Sequence, residues 1–349
     1  MTLRTYLRPT GLLPAETALS GNLPLAGGRF TFSIAELILR DGDSIERTMM
    51  PLNQLPAEFH EIHRRHLDAL TRPRSPLAGL SLDRPRLMAV LNVTPDSFSD
   101  GGAFLEPAQA LAHGMALLEA GADIIDIGGE STRPGAAPVS PECELERVLP
   151  VVSALAERGA QVSIDTRHAA VMRAALAAGA VIINDVTGLT GDAESLAVVA
   201  ESTAPVVLMH MQGEPGTMQN KPHYHDAALD VYDWLEARVN ACRAAGISTE
   251  RIIVDPGIGF GKTLEHNLEI LRALTLYHGL GCPLMVGVSR KRFIGALSNN
   301  EPPGDRVPGT IAASLAALDR GCQIVRVHDL AALHQARAVW EGLNPPIKP

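Results

Sequence analysis

The sequence lacks several features that would place it in a specialised class of protein. Its 349 residues include four cysteines, and no two of them form a Cys-x-x-Cys pair. This spacing indicates neither a zinc site nor a disulfide framework, so we expect a reducing, cytoplasmic setting. No long uncharged apolar run is present, and the N-terminal segment is interrupted by Pro14 and Glu16. We therefore expect neither export nor membrane insertion.

Positive charge is also scarce. The chain has 30 basic and 39 acidic residues, a formal net charge of −9 and a sequence pI of about 5.7. Binding of nucleic acid without regard to its sequence requires a basic surface, so we expect no nucleic-acid partner. What the chain does have is a globular composition, 46% apolar and 20% charged, and enough length for one large α/β domain.

Strand and helix patterns alternate from Arg86 onward, which favours a parallel sheet. Eight strands are predicted, near Leu87–Leu91, Ile124–Ile127, Val162–Ile164, Val181–Ile183, Val206–Met209, Ile252–Val254, Leu284–Val288 and Ile324–Val327. The helical patterns include Pro107–Ala120, Glu142–Glu157, Ala169–Ala178, Ala227–Ala245 and Leu330–Trp340. Eight alternating units over about 260 residues predict an α/β fold of the (β/α)8 TIM-barrel type. A doubly wound sheet is the weaker alternative, because no Gly-x-Gly-x-x-Gly follows the first strand.

Residues 1–85 fall outside this alternation, and we assign residues 86–349 to the barrel. Within the first segment, an apolar stretch at Phe30–Leu39 precedes a predicted helix at Glu58–Leu70. A proline-containing stretch at residues 71–76 then predicts a linker. We expect an accessory unit that packs on the amino-terminal face of the barrel or on a second subunit. The sequence indicates no function for it.

Polar residues end several of the predicted strands. They lie in the runs at residues 91–102, 124–135, 162–165, 182–185 and 253–257. In a barrel of this type the carboxyl ends of the strands carry the catalytic loops. A single aspartate or asparagine at a strand end commonly caps the following helix instead. Because four such residues would converge on one face, an active site is the favoured interpretation.

Longer motifs follow one another along the chain: Asn92–Gly102, Gly128–Gly135, Asp255–Lys262, Ser289–Lys291 and Arg326–His328. Through these motifs the chain, from about Arg86 to its C-terminus, resembles the dihydropteroate synthase family of folate synthesis. The resemblance implies a magnesium-assisted condensation of 6-hydroxymethyl-7,8-dihydropterin diphosphate with 4-aminobenzoate, which yields 7,8-dihydropteroate and pyrophosphate. It also implies a homodimer, and inhibition by sulfonamides, which mimic 4-aminobenzoate.

A pterin is a flat heterocycle whose edge alternates donors and acceptors, so its pocket requires carboxylates, amides and a long side chain over the ring. The residues assigned to the pterin are Asp126, Asp165, Asn184, Asp255, Lys291 and Arg326. Arg326 is expected over the ring face, where a guanidinium stacks better than an ammonium. Asp185 is expected to point away, because successive residues of a strand face opposite sides.

A diphosphate must be held while it leaves, and barrels of this type often bind phosphate after the seventh and eighth strands. The resemblance assigns the diphosphate to Asn92, Arg133, Arg326 and His328. It also places Asn92 at the magnesium ion. One amide makes a poor metal site alone, so we expect phosphate oxygens and waters to supply most of the ligands. The metal would then arrive with the substrate.

Three other histidines could suggest a separate metal site: His210, His223 and His225. Their spacing matches no common catalytic zinc motif. We therefore expect no independent metal site at these residues.

The resemblance makes the first two βα loops, near Thr94–Gly102 and Ser131–Ala137, mobile covers of the aminobenzoate pocket. The residues assigned to this pocket are Phe98, Thr132, Pro134, Phe260, Ser289 and Arg292. Two interpretations of Phe98 and Phe260 stay open, since aromatic side chains in loops either contact a flat ligand or anchor the loop to the barrel. Arg292 stands where family members often carry serine. It either attracts the carboxylate or points to solvent.

The residues predicted to be catalytic are Asp165, Lys291 and Arg326. We expect early cleavage of the C–O bond, with Asp165 facing the dihydropterin and preorganised charge as the main catalytic factor. An arylamine is already a free base at neutral pH, so no dedicated general base is expected.

Three other functions compete with this one. A methyltetrahydrofolate-dependent methyltransferase has no diphosphate to bind. A non-catalytic pterin-binding homologue would not need the first two loops, which are intact here. An unrelated phosphosugar barrel enzyme would keep an anion site without the carboxylates and amide beneath it.

Overall fold

The structure, a computed structural model, describes residues 3–17, 20–55, 60–94, 106–131, 138–214 and 216–345 of the chain. We call residues 3–85 the N-terminal extension. Its strands are β1 (Arg4–Thr10), β2 (Leu13–Pro14), β3 (Leu23–Pro24), β4 (Phe30–Phe32), β5 (Ile34–Asp41) and β6 (Ser44–Pro51). They form two antiparallel sheets in the orders β1-β5-β6 and β2-β4-β3. Helix α1 (His60–Thr71) follows them.

The apolar stretch at Phe30–Leu39 forms two strands, β4 and most of β5. Gly42 and Asp43 connect β5 to β6, and Gly42 has a φ of 60°. A two-residue hairpin turn needs such left-handed backbone, which glycine adopts without strain. The helix predicted at Glu58–Leu70 corresponds to α1.

The barrel begins directly after the extension. Its strands are β7 (Arg86–Asn92), β8 (Ile124–Gly128), β9 (Val162–Asp165), β10 (Ile182–Asp185), β11 (Val206–Met209), β12 (Ile252–Asp255), β13 (Met285–Gly287) and β14 (Ile324–Val327). All neighbours in the sheet are parallel, in the order β12-β11-β10-β9-β8-β7-β14-β13. A parallel bridge between Val254 and Leu284 joins the two ends of this sheet. The predicted (β/α)8 barrel is therefore confirmed.

Helices separate the strands and surround the sheet. They are α2 (Glu106–Glu119), α3 (Pro141–Ala156), α4 (Ala169–Ala177), α5 (Ser195–Glu201), α6 (Ala227–Ala244), α7 (Leu264–Arg272), α8 (Arg292–Leu297), α9 (Val307–Leu318) and α10 (Leu330–Leu343). Both α8 and α9 lie between β13 and β14. None of the described helices is both long enough and apolar enough to cross a lipid bilayer.

Apolar side chains fill the amino-terminal half of the barrel interior. Met88, Ile124, Ile182 and Ile324 belong to this cluster, and Leu77 from the segment before β7 joins them. Leu77 and Leu80 exchange backbone hydrogen bonds, so their short turn packs against the end of the barrel. Because this end is filled with apolar side chains, polar residues of the strands are accommodated at the opposite, carboxyl end.

The sheets of the extension pack beside the barrel. The Tyr6 hydroxyl on β1 donates to Asp233 on α6 at 2.9 Å, and Arg40 on β5 lies 2.7 Å from Asp230. The Thr275 hydroxyl donates to the Pro9 carbonyl at 2.7 Å. The extension is thus attached mainly to α6 and to the short 3-10 helix that follows α7.

Candidate active site

Five polar residues meet at the carboxyl ends of their strands: Asp126 on β8, Asp165 on β9, Asn184 on β10, Asp255 on β12 and Arg326 on β14. Arg326 joins three of these strands. Its Nε lies 2.6 Å from Asp126 Oδ2, and its Nη2 lies 2.6 Å from Asp165 Oδ2. Asn184 Nδ2 donates to the same oxygen of Asp126 at 2.9 Å. The convergence expected from the strand-end pattern is present.

Arg326, Asp126 and Asp165, which we call the Arg326 cluster, are largely shielded from solvent. The Asp126 and Asp165 side chains are 0% and 9% exposed, and the Arg326 side chain is 21% exposed. Buried charges are tolerated when they are paired, as they are here. Asp126 Oδ1, however, is buried and has no hydrogen-bond partner in the part of the chain that the structure describes. Buried acceptors normally have partners, so this unpaired oxygen is a candidate acceptor for a ligand N–H group, although Asp126 is absent from the described lining of the pocket.

The buried carboxyl groups have raised pKa values. Burial raises the pKa of Asp165 to about 7, although the Arg326 guanidinium opposes the shift. Burial also raises the pKa of Asp255 to about 6, against the hydrogen bond from the Gly257 amide and the charge of Lys291. Carboxyl groups that titrate close to neutral pH are typical of functional sites.

Lys291 is placed on the other side of Asp255, directly before α8. Its ammonium group lies 3.9 Å from the centroid of the Phe260 ring, which is a cation–π contact. Burial lowers the pKa of Lys291 to about 8, while Asp255 acts in the opposite direction. Gly259 has a φ of +84°, and a side chain there would begin 3.0 Å from Lys291 Cδ. Glycine therefore lets the lysine cross this loop.

A pocket opens beside these residues. Its lining includes seven of the residues assigned from the sequence, namely Asn184, Asp255, Phe260, Ser289, Lys291, Arg326 and His328. Seven others were not assigned to the site: Val90, Val186, Met209, Gly257, Ile258, Met285 and Gly287. The apolar members form walls that suit a flat ring. Sequence reasoning missed them because an apolar residue next to a strand end is indistinguishable from ordinary core.

His328 and Ser289 form the part of the lining nearest the ends of β13 and β14. His328 Nδ1 lies 3.0 Å from Ser289 Oγ, and that hydroxyl also accepts the His328 backbone N–H at 3.1 Å. Burial, together with the positive charges of Arg326 and Arg290, lowers the pKa of His328 to about 3. His328 is therefore a neutral hydrogen-bonding group at neutral pH.

Lys291 lines the pocket, whereas the described lining includes neither of the two neighbouring arginines, Arg290 and Arg292. Arg290 has a φ of 58° and pairs with Asp329, with its Nε 2.9 Å from Oδ2. Arg292 is exposed in the first turn of α8, and it is absent from the described lining of the pocket. Its assignment to the aminobenzoate carboxylate thus rests on the sequence alone.

Asn92 ends β7 beside Asp165. Both residues pair with Gly128 of β8, and a side chain there would begin 3.6 Å from Asn92 Oδ1 and 3.7 Å from Asp165 Oδ2, which are ordinary contact distances. Among the described residues, no group of three or more His, Cys, Asp and Glu side chains could hold a metal ion. A single amide oxygen suits only a magnesium ion that takes its other ligands from water and phosphate.

Four assigned residues, Phe98, Thr132, Arg133 and Pro134, lie outside the described residues. The base of the second βα loop is nevertheless defined by Glu130, which the sequence analysis did not single out. Its carboxylate accepts two hydrogen bonds from Arg167, each of 2.9 Å, and one from the Val139 amide at 3.1 Å. Glu130, at the start of this loop, is therefore hydrogen-bonded both to Val139 at its end and to Arg167, which follows β9. Its position in the Gly128–Gly135 motif was the feature of the sequence that could have identified it.

Asp185 and His210 also belong to the surroundings of the site. Asp185, which was expected to point away from the site, accepts hydrogen bonds from the Thr187 amide at 2.7 Å and the Leu189 amide at 2.9 Å and so shapes the turn after β10. His210 Nδ1 lies 2.9 Å from the buried ammonium group of Lys262. The absence of an independent metal site at His210, His223 and His225 stays a prediction.

A family model described as "Pterin binding enzyme" matches residues 88–328. Dihydropteroate synthase of Neisseria meningitidis serogroup B is 49% identical over 270 residues, which cover 76% of this chain and 95% of that protein. The Escherichia coli K12 enzyme of the same name is 46% identical over 265 residues, with 76% and 93% covered. The chain belongs to the dihydropteroate synthase family.

Solved dihydropteroate synthases have the same fold. The Xanthomonas albilineans enzyme with 4-aminobenzoic acid superposes with a TM-score of 0.73 at 48% identity, covering 77% of this chain and 97% of that one. The Burkholderia cenocepacia enzyme complexed with 7,8-dihydropteroate has a TM-score of 0.70 at 42% identity, with 77% and 96% covered. The family match begins inside β7, so the N-terminal extension precedes the part of the chain that defines this synthase family.

Proposed function

We propose that this chain condenses 6-hydroxymethyl-7,8-dihydropterin diphosphate with 4-aminobenzoate, and so forms 7,8-dihydropteroate and pyrophosphate. Besides family membership, the observation that carries the proposal is the buried Asp126–Arg326–Asp165 cluster, with one carboxylate oxygen left for a ligand. A site for a phosphosugar alone would have no use for such an oxygen.

The pterin is bound by its polar edge. Asn184 and Asp255 offer a donor and acceptors in the lining of the pocket, and Asp126, which Asn184 contacts, adds the unpaired Oδ1; this set matches the mixed pattern of a pterin edge. Arg326 holds Asp126 and Asp165 in position and offers its remaining surface to the ring. Lys291 approaches from the side of Phe260 and supplies a further donor.

The reaction replaces a C–O bond by a C–N bond. The methylene carbon loses the diphosphate oxygen, which keeps the electron pair, and the arylamine nitrogen then attacks the carbon and releases one proton. Positive charge develops on the pterin as the C–O bond breaks. The Asp165 carboxylate is buried and held by Arg326, so it stabilises this charge without having to reorient.

The diphosphate is held by neutral and positive groups. Arg326 and neutral His328 act together with Asn92 and with Arg133, which lies outside the described residues. Magnesium, when bound with the diphosphate, neutralises charge on the leaving group. Asn92 Oδ1 is the protein ligand we assign to it, with water and phosphate oxygens as the others.

The arylamine enters between Phe260 and the end of β13. Phe260 and Ser289 line this side of the pocket. We assign Phe98, Thr132, Pro134 and Arg292 to the same substrate on the strength of their sequence positions. Sulfonamides are expected to compete there; the Yersinia pestis dihydropteroate synthase, 47% identical, was solved in complex with a sulfonamide drug.

Pyrophosphate release from the pterin diphosphate, measured with magnesium and with or without 4-aminobenzoate, tests the proposal. Release that requires 4-aminobenzoate and yields a pteroate product is the expected result. Omission of magnesium should slow release and weaken binding of the diphosphate, which calorimetry measures separately. Tight pterin binding without release would favour a non-catalytic binding protein.

We also propose a homodimer in the cytoplasm. All four cysteines are free thiols, which suits a reducing compartment. The dimer is an expectation from the family resemblance, and sedimentation equilibrium of the full chain measures it directly.

A further inference from the structure

The loop between β12 and α7 carries Phe260 into the pocket, and it is held from outside by the segment that connects β11 to α6. We call residues 210–226 the α6 connection. The two backbones touch at glycines with left-handed φ: a side chain at Gly257 would begin 1.9 Å from the His210 carbonyl oxygen, and one at Gly261 would begin 2.4 Å from that of Gln212. Only glycine permits this approach.

Three successive carbonyl oxygens of the Phe260 loop accept hydrogen bonds from side chains. Gln219 Nε2 donates to the Gly259 oxygen at 2.8 Å, and the Tyr224 hydroxyl donates to the Gly261 oxygen at 2.8 Å. Between them, Lys262 Nζ donates to the Phe260 oxygen at 2.9 Å. The peptide group before Phe260 is thus held by Gln219 and the one after Gly261 by Tyr224, both of the α6 connection, while Lys262 holds the peptide group between them.

Lys262 is itself held by the connection. Its ammonium group lies 2.9 Å from His210 Nδ1 and 3.4 Å from the His210 carbonyl oxygen. The His210 ring packs edge-on against Trp234, with their centroids 5.0 Å apart. Tyr224 packs against His266 at 4.8 Å. Together with the hydrogen bonds from Gln219 and Tyr224, these contacts form the support of the Phe260 loop.

Phe260 contacts the Lys291 ammonium group, so a change in the angle of its loop alters the pocket on the side that we assign to the arylamine. Gln219 and Tyr224 are absent from the described lining of the pocket. Their influence on a substrate must therefore pass through the peptide groups that they hold.

We infer that Gln219 and Tyr224 are positioning residues for 4-aminobenzoate, because their hydrogen bonds to the Gly259 and Gly261 carbonyls fix the orientation of Phe260. This inference rests on the proposed function, and it deepens it by placing a determinant of the second substrate outside the strand-end motifs.

The test uses Tyr224→Phe, Gln219→Ala and the double variant of the full chain. Loss of one such hydrogen bond is expected to raise KM for 4-aminobenzoate about 5-fold, and loss of both at least about 10-fold. KM for the pterin diphosphate should change less than about 2-fold, because Asn184 and Arg326 are held by Asp126, away from these bonds, and only the Lys291 part of the pterin site contacts Phe260. Tyr277→Phe is the matched control, since its hydroxyl also donates to a carbonyl, that of Ala228 at 3.1 Å, away from the pocket.

Hydrogen–deuterium exchange without substrates gives a readout independent of activity. The peptide that contains residues 257–263 should exchange faster in the Tyr224 and Gln219 variants than in wild type and Tyr277→Phe. Unchanged exchange, or an equal rise of KM for both substrates, would overturn the inference. If the wild-type chain releases no pyrophosphate, the proposed function fails and the assignment of these residues to 4-aminobenzoate fails with it. If the wild-type chain is active and the variants match it, only the inference fails.

Discussion

The barrel and the N-terminal extension both rely on arginine–carboxylate pairs, but they place them differently. In the barrel, Arg326 pairs with two buried carboxylates and also lines the pocket. In the extension, Arg4 pairs with Asp233 at 2.9 Å while 42% of its side chain is exposed. Water screens the second pair and not the first. The same chemistry therefore produces a strong local field at Arg326 and a weak attachment at Arg4.

Substitution of Arg326 is expected to have the largest effect on stability. Arg326→Met leaves two buried carboxylates without their cation, so we expect the free energy of unfolding to fall by about 3–5 kcal/mol. Urea denaturation followed by circular dichroism measures the loss. Arg173→Met is the control, because Arg173 pairs with Glu201 at 3.0 Å with both side chains more than half exposed. Equal losses in the two variants would contradict the distinction between buried and exposed pairs.

Asp165→Asn tests the electrostatic contribution of the Asp165 carboxylate separately from the packing of its side chain. It keeps the size of the side chain but removes its charge, so kcat/KM should fall about 10²- to 10³-fold. Asp185→Asn is the matched control, since Asp185 is also buried at a strand end but bonds to Thr187 and Leu189 outside the pocket. An Asp165→Asn enzyme of full activity would refute the electrostatic part of the mechanism.

The dependence of kcat/KM on pH provides a second test of the role of the Asp165 charge. Asp165 has a pKa of about 7, so its active, ionised form is lost as pH falls, and kcat/KM should drop nearly tenfold per unit below that value. A second limb is expected above pH 8, where Lys291 loses its proton. In Asp165→Asn the acid limb should move to lower pH, where Asp255, with a pKa of about 6, gains its proton.

The same raised pKa affects stability. The folded chain retains a proton on Asp165 that the unfolded chain releases near pH 4, so this group makes the free energy of unfolding fall as pH rises from about 4 to 7. Asp165→Asn should weaken that dependence in urea titrations at several pH values.

The smallest effect is expected in the extension. Tyr6→Phe removes a hydroxyl that donates to Asp233, which keeps Arg4 and Arg40 as partners, so the loss is about 1 kcal/mol. Hydrogen exchange in residues 3–10 and 34–51 should accelerate while kcat/KM stays unchanged. A fall in activity would show that the extension reaches the site energetically.

Much of the barrel was predictable because its strands are buried on both faces and alternate regularly with helices. The strand at Val206–Met209 was predicted to the residue, whereas the one expected at Leu284–Val288 shortens to Met285–Gly287. The apolar residues continue beyond the hydrogen-bonded part of this strand, so its length is overestimated from composition.

The site was predictable to the extent that its residues follow strands. Asp126, Asp165 and Asn184 meet as expected, but Arg326 binds two carboxylates in addition to facing the pocket. Gln219 and Tyr224 had no comparable signal, because they act on backbone carbonyls of a loop about 40 residues away. Such contacts depend on where two loops meet, and no local pattern encodes that.

The order of strands and helices, the barrel class and the family could be inferred from the amino-acid sequence, since these depend on local hydrophobic period and on contiguous motifs. Which charges are buried together, which carboxylate oxygen lacks a partner, and how the extension is attached became known from the three-dimensional structure. Those properties depend on contacts between residues up to 315 positions apart in the chain, which barrel closure and the packing of the extension bring together.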